Sequence, residues 1–381
     1  MKTRLYTPGP TMVPEQVSLD MAAPIIHHRT PEFSKVLQSC HEGLQYLFQT
    51  KNPVLMLTCS GTGAMEGAVV SVLSRSTLTL VVRGGKFGER WGEICAAYGV
   101  PFVPLDIPWG ESITAEQLEE ALAANPGVRA VCLTQSETST GALNDIKTLA
   151  AVVKKRNALC LVDSITGCGV HELRVDDWGI DVAVTGSQKG LMLPPGLAFA
   201  ALSDEAWEAV KRTDLPSYYL SFAKHRKSWE KTTTPWTPAI TLLTGLARAL
   251  EMIRSEGLEK LWERHQNMAE AMRQAVRTLG LPLFPRVPAN VQTVIALPEG
   301  LEYSRLSKQL FNVYGMKTAG GQDQLTGKIL RIAHLGYLDD GDIVAGVSFL
   351  ERALADVGWK VNSGEAVAAA QRVLARTPAA Q

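Results

Sequence analysis

The chain is short of several features that mark protein classes, and each shortage excludes something. Its six cysteines, Cys40, Cys59, Cys95, Cys132, Cys160 and Cys168, show no Cys-x-x-Cys spacing. They offer neither a disulfide framework nor a zinc or redox motif, and the apolar runs around most of them predict buried free thiols. Net charge is absent, because 38 basic side chains balance 38 acidic ones. Nothing in the composition therefore points to nucleic acid or to an anionic membrane surface. No uninterrupted apolar run of about 18 residues is present to span a bilayer. The opening Met1-Lys2-Thr3-Arg4-Leu5-Tyr6-Thr7-Pro8 has no apolar h-region, so a cytoplasmic protein is expected. His27-His28-Arg29 lacks a third ligand at useful spacing and reads as a polar loop, and no metal site is expected.

What is present is ample apolar material, 46% of 381 residues, enough for one large domain and a smaller one. Within it, Thr185-Gly186-Ser187-Gln188-Lys189-Gly190 ends a short apolar strand and presents one lysine. A loop just past a strand end lies at the carboxyl edge of a sheet, where open α/β folds place their ligands. Desolvation there lowers a lysine's pKa, and the neutral amine can condense with an aldehyde. Standing alone, a lysine in a Gly/Ser loop reads as a solvated turn residue. Upstream, Ala158-Leu159-Cys160-Leu161-Val162-Asp163 describes a buried strand with a carboxylate at its carboxyl end. Alone, Asp163 would cap a helix or bind a metal. Paired with a loop lysine one strand away, it is what pyridoxal phosphate requires: the lysine takes the aldehyde, and the carboxylate keeps the pyridine nitrogen protonated.

A third device precedes both. The strand 54–59 runs into Ser60-Gly61-Thr62-Gly63-Ala64, a glycine loop opening a helix, which is an anion site in elementary terms. It fits neither the dinucleotide fingerprint nor the P-loop, but Thr62, Gly63 and Ala64 suffice for one phosphate. The rival reading is a tight strand–helix turn.

Val162-Asp163-Ser164, Gly186-Ser187-Gln188-Lys189-Gly190, Thr7-Pro8-Gly9-Pro10 near the start and Leu330-Arg331-Ile332 near the end together resemble the class V aminotransferases, in particular their alanine/serine–glyoxylate branch. The resemblance runs from about residue 6 to about residue 354. It implies the α/β fold of pyridoxal-phosphate transferases of fold type I: a large domain with a mostly parallel seven-stranded sheet, and a smaller C-terminal α+β domain. The expected divisions are an irregular arm over the active site at 1–30, the large domain with long linking helices at 31–280, and the small domain at 281–381. It also implies a pyridoxal 5'-phosphate cofactor and the following roles. Thr62, Gly63 and Ala64 hold the phosphate, Phe87 stacks on the ring, and Thr138 hydrogen-bonds near the phenolic oxygen. Gln188 and Lys189 complete the cofactor site with Asp163, and Gly9 and Arg331 meet the substrate. The Pro-, Tyr- and Trp-rich stretch 214–238 is expected to reach a neighbouring subunit's site in a homodimer, with Thr234 and Thr237 on the partner's phosphate. By sequence alone, Phe87 would be core, Thr138 a turn residue and Arg331 half of an internal salt bridge.

Strands alternating with helices, apolar throughout, independently indicate a mostly parallel sheet covered on both faces. Thr30 with Pro31, and Thr114 with Gln117, signal helix starts. Segments 239–255, 258–279 and 303–313 read as helices, and the Ala-rich end as a terminal helix. The activity this predicts is transamination of a small L-amino acid, alanine or serine, to a 2-oxo acid such as glyoxylate or pyruvate. Alternatives are an aspartate or 2-aminoethylphosphonate-type donor, or a lyase or desulfurase on the same fold. A desulfurase needs a later loop cysteine and usually a histidine before the lysine, whereas no cysteine follows Cys168 and Gln188 precedes Lys189. A non-catalytic relative would have lost Lys189, Asp163 or Arg331.

Overall fold

The computed structural model describes residues 2–375. The Pro31–Phe48 helix starts where Thr30 accepts a hydrogen bond from the Phe33 N–H, with proline at the first helical position. A reciprocal capping box formed by Thr114 and Gln117 starts Ala115–Ala124.

Seven strands form the central sheet in the order Val54–Leu57, Ala198–Leu202, Val182–Gly186, Leu159–Asp163, Ala130–Thr134, Thr79–Arg83 and Phe102–Asp106. Only Ala198–Leu202 runs against its neighbours; all other pairings are parallel. Successive residues feed opposite cores. Leu80, Val82, Val131, Leu133, Val162 and Ala183 pack on one face, while Val81, Cys132, Leu161, Val182 and Val184 pack on the other. Burial on both faces explains why these strands read as continuous apolar runs rather than as alternating ones.

A second, antiparallel sheet joins Gln292–Ala296, Ile329–Ala333 and Ala319–Gly320, and it carries Arg331 opposite Val294 and Ala319. Its core includes Met268, Met272 and Val276 from the Leu258–Thr278 helix. This core therefore takes in helix residues on the large-domain side of the expected division at 281, because that helix is long enough to pack in both units.

The arm differs from an irregular stretch. Arg4–Leu5 pairs parallel with Met316–Lys317, and Tyr6 is fully buried in the small-domain core. Glu15–Ala22 is a helix lying against Ile240–Glu256, tied there by the Asp20–Arg248 ion pair at 2.7 Å. Both elements are too short to hold alone and depend on tertiary contacts. The 214–238 stretch likewise contains a helix, Phe222–Trp229. The terminal helix is Glu365–Leu374, and the remainder of the expected Ala-rich tail, 376–381, lies outside the described residues. Five of the cysteines are buried and Cys59 is partly so, all as free thiols.

Candidate active site

At the carboxyl edge of the sheet, Thr134, Asp163 and Val184 stand in register on adjacent strands, and Lys189 follows three residues after the Val182–Gly186 strand. Its loop is tied back on itself: the Ser187 hydroxyl donates to the Pro194 carbonyl at 2.7 Å and accepts from the Leu197 N–H at 3.2 Å. The Lys189 amine donates to the Pro8 carbonyl, which the arm brings across the cleft. Gly9 adjoins it at φ +110°, and a side chain there would run into Lys189 Nζ. Burial lowers the Lys189 pKa to about 8, opposed by the attraction of Asp163 and assisted by Arg331 and Arg90.

Asp163 is 3% exposed and accepts the Ile165 N–H at 2.8 Å. Burial raises its carboxyl to about 7; the Ile165 hydrogen bond opposes the shift and Glu137 adds to it. Arg331 reaches over from the small domain, buried, with its pKa held below the usual range by desolvation. Nε donates to the Gly320 carbonyl at 2.7 Å and Nη1 to the Thr138 carbonyl at 2.8 Å. Nη2 has no hydrogen bond among the described residues, which leaves one edge of the fork for a carboxylate.

Around the cleft stand Ser60, Gly61, Thr62, Phe87, Arg90, Thr138, Ile165 and Gln188. The helix Gly61–Val72 has no side-chain cap, and the N–H groups of Gly63 and Ala64 turn back to the Ser60 carbonyl. That leaves Gly61 and Thr62 as the free N–H groups at the dipole's positive end. Of the expected trio Thr62, Gly63 and Ala64, Thr62 lines the cleft, while the N–H groups of Gly63 and Ala64 are taken up by the Ser60 carbonyl in the helix's first turn. The Thr138 hydroxyl shares a hydrogen bond with Thr166 at 2.8 Å. Thr234 and Thr237 are not brought to this cleft. Thr234 donates to the Trp236 carbonyl at 2.7 Å within its own loop, and Thr237 is exposed.

Three features of the cleft fit pyridoxal phosphate. A buried carboxylate at Asp163 lacks a cationic partner at hydrogen-bond range among the described residues, and uncapped N–H groups open the Gly61–Val72 helix at the cleft. The buried Gln188 Oε1 has no partner, and turned over, that amide would present N–H to an anion. Two residues, one lining the cleft and one buried behind it, escaped sequence reading. Arg90 sits one turn after Phe87, with its guanidinium 4.8 Å from that ring's centre and 3.1 Å from the Thr62 hydroxyl. The i, i+3 spacing on a helix that opens at the sheet edge was the available signal. Glu137 is buried beside Thr138, and no local pattern marks it.

The family described as Aminotransferase class-V matches residues 5–322. A protein named soluble hydrogenase, small subunit, from Synechococcus sp. (strain PCC 6716) is 43% identical over 98% of this chain and 98% of its own. The L-aspartate–glyoxylate aminotransferase of Paracoccus denitrificans (strain Pd 1222) is 36% identical over 99% of this chain and 97% of its own. Among solved structures, ureidoglycine–glyoxylate aminotransferase from Bacillus subtilis is similar with TM-score 0.94 and 27% identity, covering 98% of this chain and 99% of that one. With a lysine, an acid and a guanidinium gathered at the sheet edge in a pyridoxal-phosphate fold of type I, this chain belongs to the class V aminotransferases.

Proposed function

We propose that this aminotransferase moves the amino group of a small L-amino acid, alanine or serine, to a 2-oxo acid such as glyoxylate or pyruvate. The observation that carries the reading is the Lys189 amine, lowered to about 8, between Asp163 and the open edge of Arg331. Bound in this cleft, pyridoxal phosphate supplies the aldehyde and an electron-withdrawing ring. Asp163 would hold the ring nitrogen's proton, Gly61, Thr62 and Gln188 would hold the phosphate, and Phe87 would hold the ring. Arg331 would bind the substrate α-carboxylate with Gly9 beside it, and the Lys189 amine would serve as the base for the substrate Cα proton. The hydrogenase name belongs to the cyanobacterial relative; this cleft holds the groups that amino transfer uses.

Two subunits complete the enzyme in this reading. The 214–238 loop presents an aromatic stack, with Tyr218 at 70% exposure lying on Trp236, and Thr237 exposed beside it. Such a surface suits a partner copy whose phosphate site Thr234 and Thr237 approach. Six unpaired thiols suit a reducing, cytoplasmic setting.

A second donor has an observation in its favour. Arg90 lines the cleft with no carboxylate in ion-pair range among the described residues, and a free guanidinium there suits the distal carboxylate of aspartate. Adding L-alanine, L-serine and L-aspartate separately to the yellow holoenzyme distinguishes them. The visible band should fade with the true donor and return with glyoxylate. A protein that stays colourless after incubation with pyridoxal phosphate would sink the assignment of Lys189.

A further inference from the structure

Glu137 has none of the roles given above, yet its surroundings are those of a site residue. It is 1% exposed, and its oxygens are met by neutral donors. Oε2 accepts the N–H groups of Gly88 at 2.9 Å and Phe87 at 3.1 Å. Oε1 accepts the Ser139 N–H at 3.1 Å and its hydroxyl at 2.5 Å. The Lys86–Tyr98 helix opens at Gly85, which has no side chain to cap it, so Glu137, with the Ser139 hydroxyl on the Lys86 N–H at 3.1 Å, supplies the missing acceptors from a segment about fifty residues away in sequence. A Cβ at Gly85 would lie 2.6 Å from Glu137 Cδ; the glycine leaves the space that the carboxylate fills.

The next residue completes the link. The Thr138 carbonyl accepts from Arg331 Nη1 at 2.8 Å and from Gln292 Nε2 at 2.6 Å. One dipeptide thus holds the helix that bears Phe87 and Arg90 on one side and the small-domain guanidinium on the other. The charged groups in its field are Asp163 and Arg331, with Lys189 and Arg90 acting on Asp163 in turn. We propose that Glu137 is a positioning residue of amino transfer, whose buried carboxylate sets the register between the Phe87 helix and Arg331, and so the angle at which the cofactor ring meets the substrate carboxylate. The proposal rests on the roles given above to Phe87, Asp163 and Arg331.

Glu137→Gln keeps the shape but must turn an NH2 group toward donors at one of the two oxygens. In the purified holoenzyme, the Kd for pyridoxal phosphate should rise about tenfold, the scale of one charge-assisted hydrogen bond. The induced circular dichroism of the visible band should weaken. The pH midpoint of that band should fall by about half a unit or more, because a negative charge favouring the protonated form is gone. If that variant does not fold, Ser139→Ala, which keeps the carboxylate but removes one of its donors and the hydroxyl that accepts the Lys86 N–H at 3.1 Å, carries the test with smaller shifts in Kd and dichroism. Kd within about twofold of wild type, with dichroism and midpoint unchanged, overturns the proposal, and so does a lowered melting temperature without those changes. A wild-type protein that forms no band would fail the reading of Lys189 instead, so the two failures are separable.

Discussion

At Lys189, burial does chemical work. An amine must be neutral to attack an aldehyde, and an ordinary lysine near 10.4 is almost wholly protonated at neutral pH. Lowered to about 8, Lys189 is substantially neutral just above that value. The rate at which cofactor-free protein forms the yellow band should therefore rise with pH, with a midpoint near 8. Stopped-flow absorbance that gave a midpoint near 10 would contradict this. Asp163 shows the complementary cost. Its folded pKa of about 7 lies above its unfolded value, so its contribution to folding is fully present below about pH 4 and is lost as pH rises through 7. Asp163→Asn should stabilise the cofactor-free protein at pH 8 by on the order of 3 kcal/mol, with the gain vanishing toward about pH 4. The same change should slow transamination by at least about a hundredfold, since the acid that protonates the ring nitrogen is gone. Paired thermal melts and turnover assays check both; a variant that was less stable at pH 8 would show that Asp163 is already compensated.

Among elements, the arm is the most informative. Its conformation at Gly9, φ +110° against Lys189, admits no side chain without strain and collision. Gly9→Ala should slow formation of the yellow band by about tenfold or more. Gly99→Ala serves as the control: φ is +69° with nothing within 4 Å of the added carbon, so it should cost only about 1 kcal/mol of stability and leave the band's rate alone. Equal effects in the two variants would show that strain alone, and not the approach to Lys189, explains the glycine. Helix starts at Thr30 and Thr114 were legible because capping is local chemistry. The Glu15–Ala22 helix was not, since its only buried residue is Val17 and no side chain caps it. The helix Gly61–Val72 was legible, but which of its first N–H groups stay free was not, because that is decided by how the first turn closes on the Ser60 carbonyl.

For the whole molecule, the proposed dimer predicts a sedimentation mass near twice that of the 41.3 kDa chain. Tyr218 lies 5.0 Å from Trp236 between ring centres, with the Lys224 ammonium 3.5 Å from the Tyr218 ring centre, a preformed exposed ladder. Tyr218→Glu should shift the protein toward monomer by at least about tenfold in dissociation constant, read by sedimentation velocity. A monomeric wild type would remove the partner role of Thr234 and Thr237. Lys86 and Asp323 also pair at 2.8 Å, a contact between residues 237 positions apart that no local reading could supply.

By itself the sequence determined the parallel sheet, through apolar strands alternating with capped helices, and it singled out Lys189, Asp163 and Arg331 by their order and spacing in motifs that resemble the family's, since each residue alone had a bland structural reading. The sheet and the helix starts are local signals, and local sterics and burial suffice to read them. Only the tertiary structure decided that Glu137 caps a helix from a distant segment, that Arg90 faces the cleft, and that Gly61 and Thr62, rather than Gly63 and Ala64, are left free. Each depends on which atoms remain unpaired after segments far apart in the chain have packed, and unpaired atoms are a property of the assembled fold.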